Sequence, residues 1–175
     1  LARMHCIVRY LLLPGCLLAG SVHAQQSCDV NGVWVNPNNG STTAGKTGLM
    51  RCREREGGAV VREEELQNGK FVGVVRFYKE GVLEREYSVN ERGNREGLSR
   101  EYAAKLSSNP GSNPLLHEET MRNGTTVGIA RRWYESGQLR RVAFHNDKGQ
   151  SEAVAEFHPD GKLSELRCAA RPQLT

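Results

Sequence analysis

The chain is short of nearly everything from which a deep catalytic core is built. Of its 175 residues only 6% are aromatic and 38% hydrophobic, which predicts one modest domain plus a leader. No CxxC pair occurs, and no His/Cys cluster has the spacing of a zinc site, so neither a metal nor a cofactor is expected. Beyond residue 24 no apolar run is long enough to span a bilayer. No Ser or Cys sits in a nucleophile elbow such as G-x-S-x-G. Charge of one sign is missing too: 24 Lys and Arg face 20 Asp and Glu. Setting aside Arg3 and Arg9 of the leader brings the net charge near +2, too even for a nucleic-acid partner.

The leader is residues 1–24. Arg3 and Arg9 supply a positive start, residues 10–18 are largely apolar, and Val22-His23-Ala24 offers small residues for cleavage. This pattern predicts a secretory signal cut near Ala24 and a periplasmic chain. Leu13-Pro14-Gly15-Cys16 also resembles a lipoprotein box, with Pro14 out of pattern; contact with a membrane is expected only if Cys16 carries lipid. Export makes a disulfide plausible for the three cysteines that remain, Cys28, Cys52 and Cys168. Cys28 with Cys52 is the favoured pair, because the two are closest in sequence and bracket a polar stretch; Cys52 with Cys168 is the alternative.

What the chain does have is glycine, 19 residues of it, and in a frame. An aromatic, three residues, Gly, one residue and Leu recur as Phe77-Gly81-Leu83, Trp133-Gly137-Leu139 and Phe157-Gly161-Leu163. Lead-in pairs precede these at Gly69 with Gly73 and Gly124 with Gly128; Gly93 with Gly97 leads to Tyr102. Ala153 replaces the second lead-in glycine of the last unit. Repeats of this length make modular surfaces, since one unit cannot bury its apolar face alone.

Alternating apolar and polar residues, punctuated by Asn-Gly and Gly turns, predict strands over 59–67, 71–78, 83–89, 97–102, 115–122, 127–134, 139–144, 151–157 and 163–168. The fold class expected is all-β: a twisted, open antiparallel meander built from successive hairpins. In the 97–102 strand the pattern places Leu98 and Tyr102 inward, with Ser99 and Glu101 outward. Residues 25–58 are a non-repeat head with short strands at 30–35 and 49–56 and a loop at 36–48. The repeat domain covers 59–168, interrupted by an insertion loop at 103–114, and 169–175 is a tail.

Gly40 to Thr47 matches G-x-x-x-x-G-K-T, but no buried strand precedes it and no long helix follows, so it reads as a chance match in a loop with a solvated Lys46. His145 with Asp147, and His158 with Asp160, put a carboxylate two residues from a histidine; turn chemistry explains both, and a small enzyme using either is the third-ranked reading. Arg outnumbers Lys 18 to 6, which fits cross-strand pairing with Glu, genome composition or a specialised anion site. Neighbouring aromatics on a strand face opposite sides. The outer members of Phe77-Tyr78 and Trp133-Tyr134, flanked by arginine, have the composition of a protein-binding hot spot. The candidate partner-binding residues are Arg76, Tyr78, Arg131, Arg132 and Tyr134, with Asn109 and Ser112 from the insertion.

These residues resemble the MORN-variant repeat family. Gly69, Gly73, Phe77-Tyr78, Gly81, Leu83 and Tyr87 give one copy of its pattern, and Gly124, Gly128, Trp133-Tyr134, Gly137, Leu139 and Phe144 another; the likeness spans roughly 68–167. The family has no common catalytic residues, and it includes antitoxin-like and immunity-like proteins of bacteria and eukaryotic scaffolds. With an export signal, the resemblance implies a non-enzymatic periplasmic immunity protein. Its partner would be a secreted toxin that attacks lipid or wall, with a type VI lipase or phospholipase effector expected first. The alternative is an envelope scaffold that binds lipid headgroups.

Overall fold

The computed structural model describes residues 26–103 and 113–169. The expected leader, Cys16, Asn109, Ser112 and most of the tail lie outside the described residues. Twelve strands form one open antiparallel sheet. The head supplies β1 (Ser27–Val30), β2 (Val33–Val35) and β3 (Gly48–Arg53). The repeats supply β4 (Val60–Gln67), β5 (Lys70–Lys79), β6 (Val82–Val89), β7 (Gly97–Tyr102), β8 (Leu115–Arg122), β9 (Thr125–Trp133), β10 (Leu139–His145), β11 (Ser151–Phe157) and β12 (Leu163–Cys168).

From β3 to β12 each strand pairs with the next, as consecutive hairpins require. The head departs from this order: β1 lies between β2 and β3, so the 36–47 segment must carry the chain past β1. That segment is not the plain loop expected. It contains one helical turn, α1 (Gly40–Thr43), capped by the Asn39 side chain, which accepts the Ser41 N–H. A single turn gives no phosphate cradle, and its Thr43 side is buried.

The glycine frame has two structural jobs. Asn68-Gly69 and Asn123-Gly124 each place two successive residues at positive φ (50° and 82°, 48° and 82°), the turn that matches the twist of a tight hairpin. Gly73 and Gly128 sit where the register shifts, at irregularities in the β4–β5 and β8–β9 ladders. At Gly73 φ is +105°, a backbone conformation that demands glycine, and an added Cβ would also have to push aside the end of the Glu65 side chain.

Alternation along the strands separates two faces. On the first, the head strands and β4 bury Cys28, Val30, Val35, Met50, Cys52 and Leu66, with Phe71 packed against them. Cys28 and Cys52 stand directly opposite across the β1–β3 ladder and are joined by a disulfide. The 36–47 segment is tied to this end: the Gly69 N–H donates to the Lys46 carbonyl at 2.7 Å and the Asn68 N–H to Thr47 Oγ1 at 2.9 Å. Further along the same face the cover is arginine. The Arg62 and Arg85 guanidinium groups lie 5.7 and 4.7 Å from the Phe77 ring centroid, and Arg95 lies 4.3 Å from that of Tyr87. Long arginine stems thus roof aromatics that a thicker protein would cover with another layer.

One facing prediction is corrected. Ser99 is buried and Leu98 is exposed, the reverse of the expectation for β7. Register decides the matter: Ser99 stands opposite Glu119 and Leu98 opposite Thr120, and a strand whose neighbours are fixed by hairpins cannot turn over to hide one leucine.

Candidate functional site

The second face carries one continuous row of alternating charge. Reading cross-strand partners from β1 to β9 gives Asp29, Arg51, Glu63, Arg76, Glu86, Arg100, Glu118 and Arg131. Acid and base alternate across eight neighbouring strands. The row holds together as ion pairs: Arg51–Glu63 at 3.1 Å, Arg76–Glu63 at 4.0 Å and Arg76–Glu86 at 3.4 Å, then Arg100–Glu86 at 3.4 Å, Arg100–Glu118 at 2.9 Å and Arg131–Glu118 at 3.8 Å. At the head end Asp29 turns instead to Arg53, 2.7 Å away, whose hydrogen bond holds the Asp29 carboxyl below the usual carboxylate range.

Two tyrosines edge the row. The Tyr78 hydroxyl donates to Glu63 at 2.8 Å and the Tyr102 hydroxyl to Glu86 at 3.1 Å. Burial first, and then the neighbouring carboxylate, pushes both phenols up, so each stays a proton donor. The hydrogen bond to Glu118 holds Arg100 firmly protonated. Each interior arginine is shared by two glutamates that sit deeper in the sheet, while the guanidinium groups remain partly exposed. Isolated surface pairs contribute little, but a network fixes its members in place. The result is a pre-ordered strip of arginine and tyrosine, side chains that carry much of the energy in protein interfaces.

The sequence-predicted residues are divided by this geometry. Arg76, Tyr78 and Arg131 come together on the charged face. Arg132 does not join them: adjacent to Arg131 in β9, it points to the first face, opposite His117 and Arg141. Tyr134 lies past the end of β9, where its hydroxyl donates to the Phe157 carbonyl at 2.9 Å and its ring contacts Arg140. Glu63, Glu86, Arg100 and Glu118 were missed. Their signal was in the repeat frame: Glu63 and Glu118, and Arg76 and Arg131, occupy equivalent places before and after the turns at Gly69 and Gly124.

On the first face Arg132, Arg141, His117, His145 and Glu119 line a cavity of about 120 Å³. Arg141 Nε and His145 Nδ1 are buried there without a hydrogen-bond partner. Burial pushes the His117 imidazole below its ordinary range, although Glu101 and Glu119 each lie 3.9 Å away. The carboxylates expected beside the histidines are engaged elsewhere: Asp147 pairs with Arg122 at 2.9 Å, and Asp160 accepts the Lys162 N–H at 3.0 Å.

Comparison with models of known protein families, with curated proteins and with solved structures gives no match.

Proposed function

We propose that this chain is an exported, MORN-variant-like immunity protein that binds and occludes a secreted antibacterial toxin in the periplasm. The observation that carries the binding reading is the eight-strand row of alternating acid and arginine with its two donor tyrosines, linked by ion pairs and hydrogen bonds on one sheet face. A partner presenting carboxylates and amide groups would exchange for the solvent around the arginines without having to order them first. Alternating charge gives orientation and on-rate, and rejects partners whose charges fall out of step. The step from binding to toxin neutralisation is supported by the repeat resemblance and the secretory leader. An effector that attacks membrane lipid or cell wall fits that compartment, a lipase or phospholipase first.

The test is affinity capture from periplasmic extract with the purified chain. The expected result is one co-purifying secreted enzyme whose activity falls at equimolar addition of the chain. Arg76→Glu combined with Arg131→Glu weakens that capture. Retention of no protein, together with binding to vesicles of anionic lipid, contradicts this reading and favours the envelope scaffold. Inhibition that depends on His145 but not on the row favours an enzyme.

A further inference from the structure

The charged row does not stop at Arg131. Its register continues through Val142 in β10, Ala155 in β11 and Leu166 in β12, so the same face turns apolar at its far end. Ile129, Phe144, Leu163 and Leu166 are all exposed there, and all six residues of β12 are exposed. Edge strands that present unpaired backbone beside apolar side chains are templates for further pairing.

We infer that β12 pairs with β12 of a second copy of this chain, antiparallel about a two-fold axis at Leu166. The backbone restricts the two-fold axis to positions on a residue rather than between residues, and the side chains choose among these. The Ala169 N–H donates to the Glu152 carbonyl across the β11–β12 ladder. Antiparallel alternation then directs the backbone groups of Arg167 and Glu165 inward to β11, and those of Leu166 and Cys168 outward; at Ser164 the β11–β12 ladder shifts register. Centring the pair on Leu166 sets Leu166 against Leu166 of the second copy, with Ser164 beside its Cys168.

The side chains select the Leu166 centre. Glu165 stands opposite Glu156 inside the sheet, a like-charge pair that Arg167 bridges from its own strand, at 3.1 Å to Glu165 and 3.4 Å to Glu156. In the Leu166-centred pairing Glu165 gains Arg167 of the second copy on its open side, and the reverse contact forms by symmetry. Centring one residue earlier or later instead sets Glu165 against Glu165 or Arg167 against Arg167. The apolar end of the row becomes a central stripe, Val142, Ala155 and Leu166 followed by the same three in reverse, flanked by two charged rows. The opposite edge, β2, is only three residues long and offers no such self-complementarity.

The test is the mass of the purified chain by analytical ultracentrifugation across about 1–100 μM, with amide hydrogen exchange at Leu166. The expected result is a dimer in which Leu166 exchanges slowly. Arg167→Glu, which leaves four acids around the seam, raises the dissociation constant about tenfold or more. The double swap Glu165→Arg with Arg167→Glu restores the opposite-charge pairs and brings the dimer back. Leu166→Pro removes an outward N–H that β11 does not use, and gives a folded monomer by circular dichroism. A wild-type monomer at 100 μM overturns the proposal. So does a dimer indifferent to Arg167→Glu, or a double swap that fails to rescue a folded chain. Open-ended polymers overturn it too, because a β12-to-β2 contact has no closing symmetry.

Discussion

The two ends of this sheet are finished differently. At the head end a disulfide, a crossed strand order and a helical turn close over a core of aliphatic residues. At the other end all six residues of β12, the last strand among the described residues, are exposed, and the nearby buried residues are small, Ala130, Ala143 and Val154. Linear arrays need caps because each unit covers only its neighbour. The contrast teaches that the head is structural before it is anything else. Among the described residues the far end has no such cover, and it is the end that the proposed second copy would occupy.

The sharpest way to break this comparison is to make one truncation at both ends. Leu66 is 1% exposed and Leu166 is 62% exposed. Leu66→Ala therefore costs about 3 kcal/mol by urea unfolding. Leu166→Ala costs about 0.5 kcal/mol or less when the chain is kept monomeric by dilution. Equal losses would mean that the ends are not distinct. Replacing Cys28 and Cys52 together by serine opens a loop with a sequence separation of 24. The chain-entropy argument gives a loss of about 3 kcal/mol, seen as a lower melting temperature that added reductant does not lower further.

A smaller effect comes from pH. His117 is held below its unfolded value of 6.5 by burial, so the unfolded chain binds the proton more readily. Its contribution to stability is complete above pH 6.5 and falls as the pH drops below it. Melting temperatures between pH 7.5 and 5 should fall, and His117→Gln should flatten that slope. An unchanged slope would show that His117 is not the group responsible.

Strand positions were legible because turn chemistry and alternation are local. Residues 115–122, 151–157 and 163–168 are strands as the pattern predicts, each bounded by Asn-Gly, Gly or Pro signals. Facing was less legible. A ladder irregularity between Phe77 and Tyr78 shifts what a period of two projects, and Leu98 shows that register outranks hydrophobicity. The helical turn at 40–43 escaped because Gly-Ser-Thr-Thr has poor helix propensity and forms only under the Asn39 cap. The charged row is a cross-strand object. Arg76 and Arg131 were visible as single residues, but their coupling through Glu86, Arg100 and Glu118 exists only once the four connections from β5 to β9 have set the register.

The most direct measurement is the affinity of the captured partner protein for the wild-type chain and for Arg76→Glu with Arg131→Glu, by calorimetric titration at low and high salt. The row as interface predicts a loss of about a hundredfold or more at low salt, a smaller gap at high salt, and little change in melting temperature. Equal affinity of a folded double variant at both salt concentrations would contradict it.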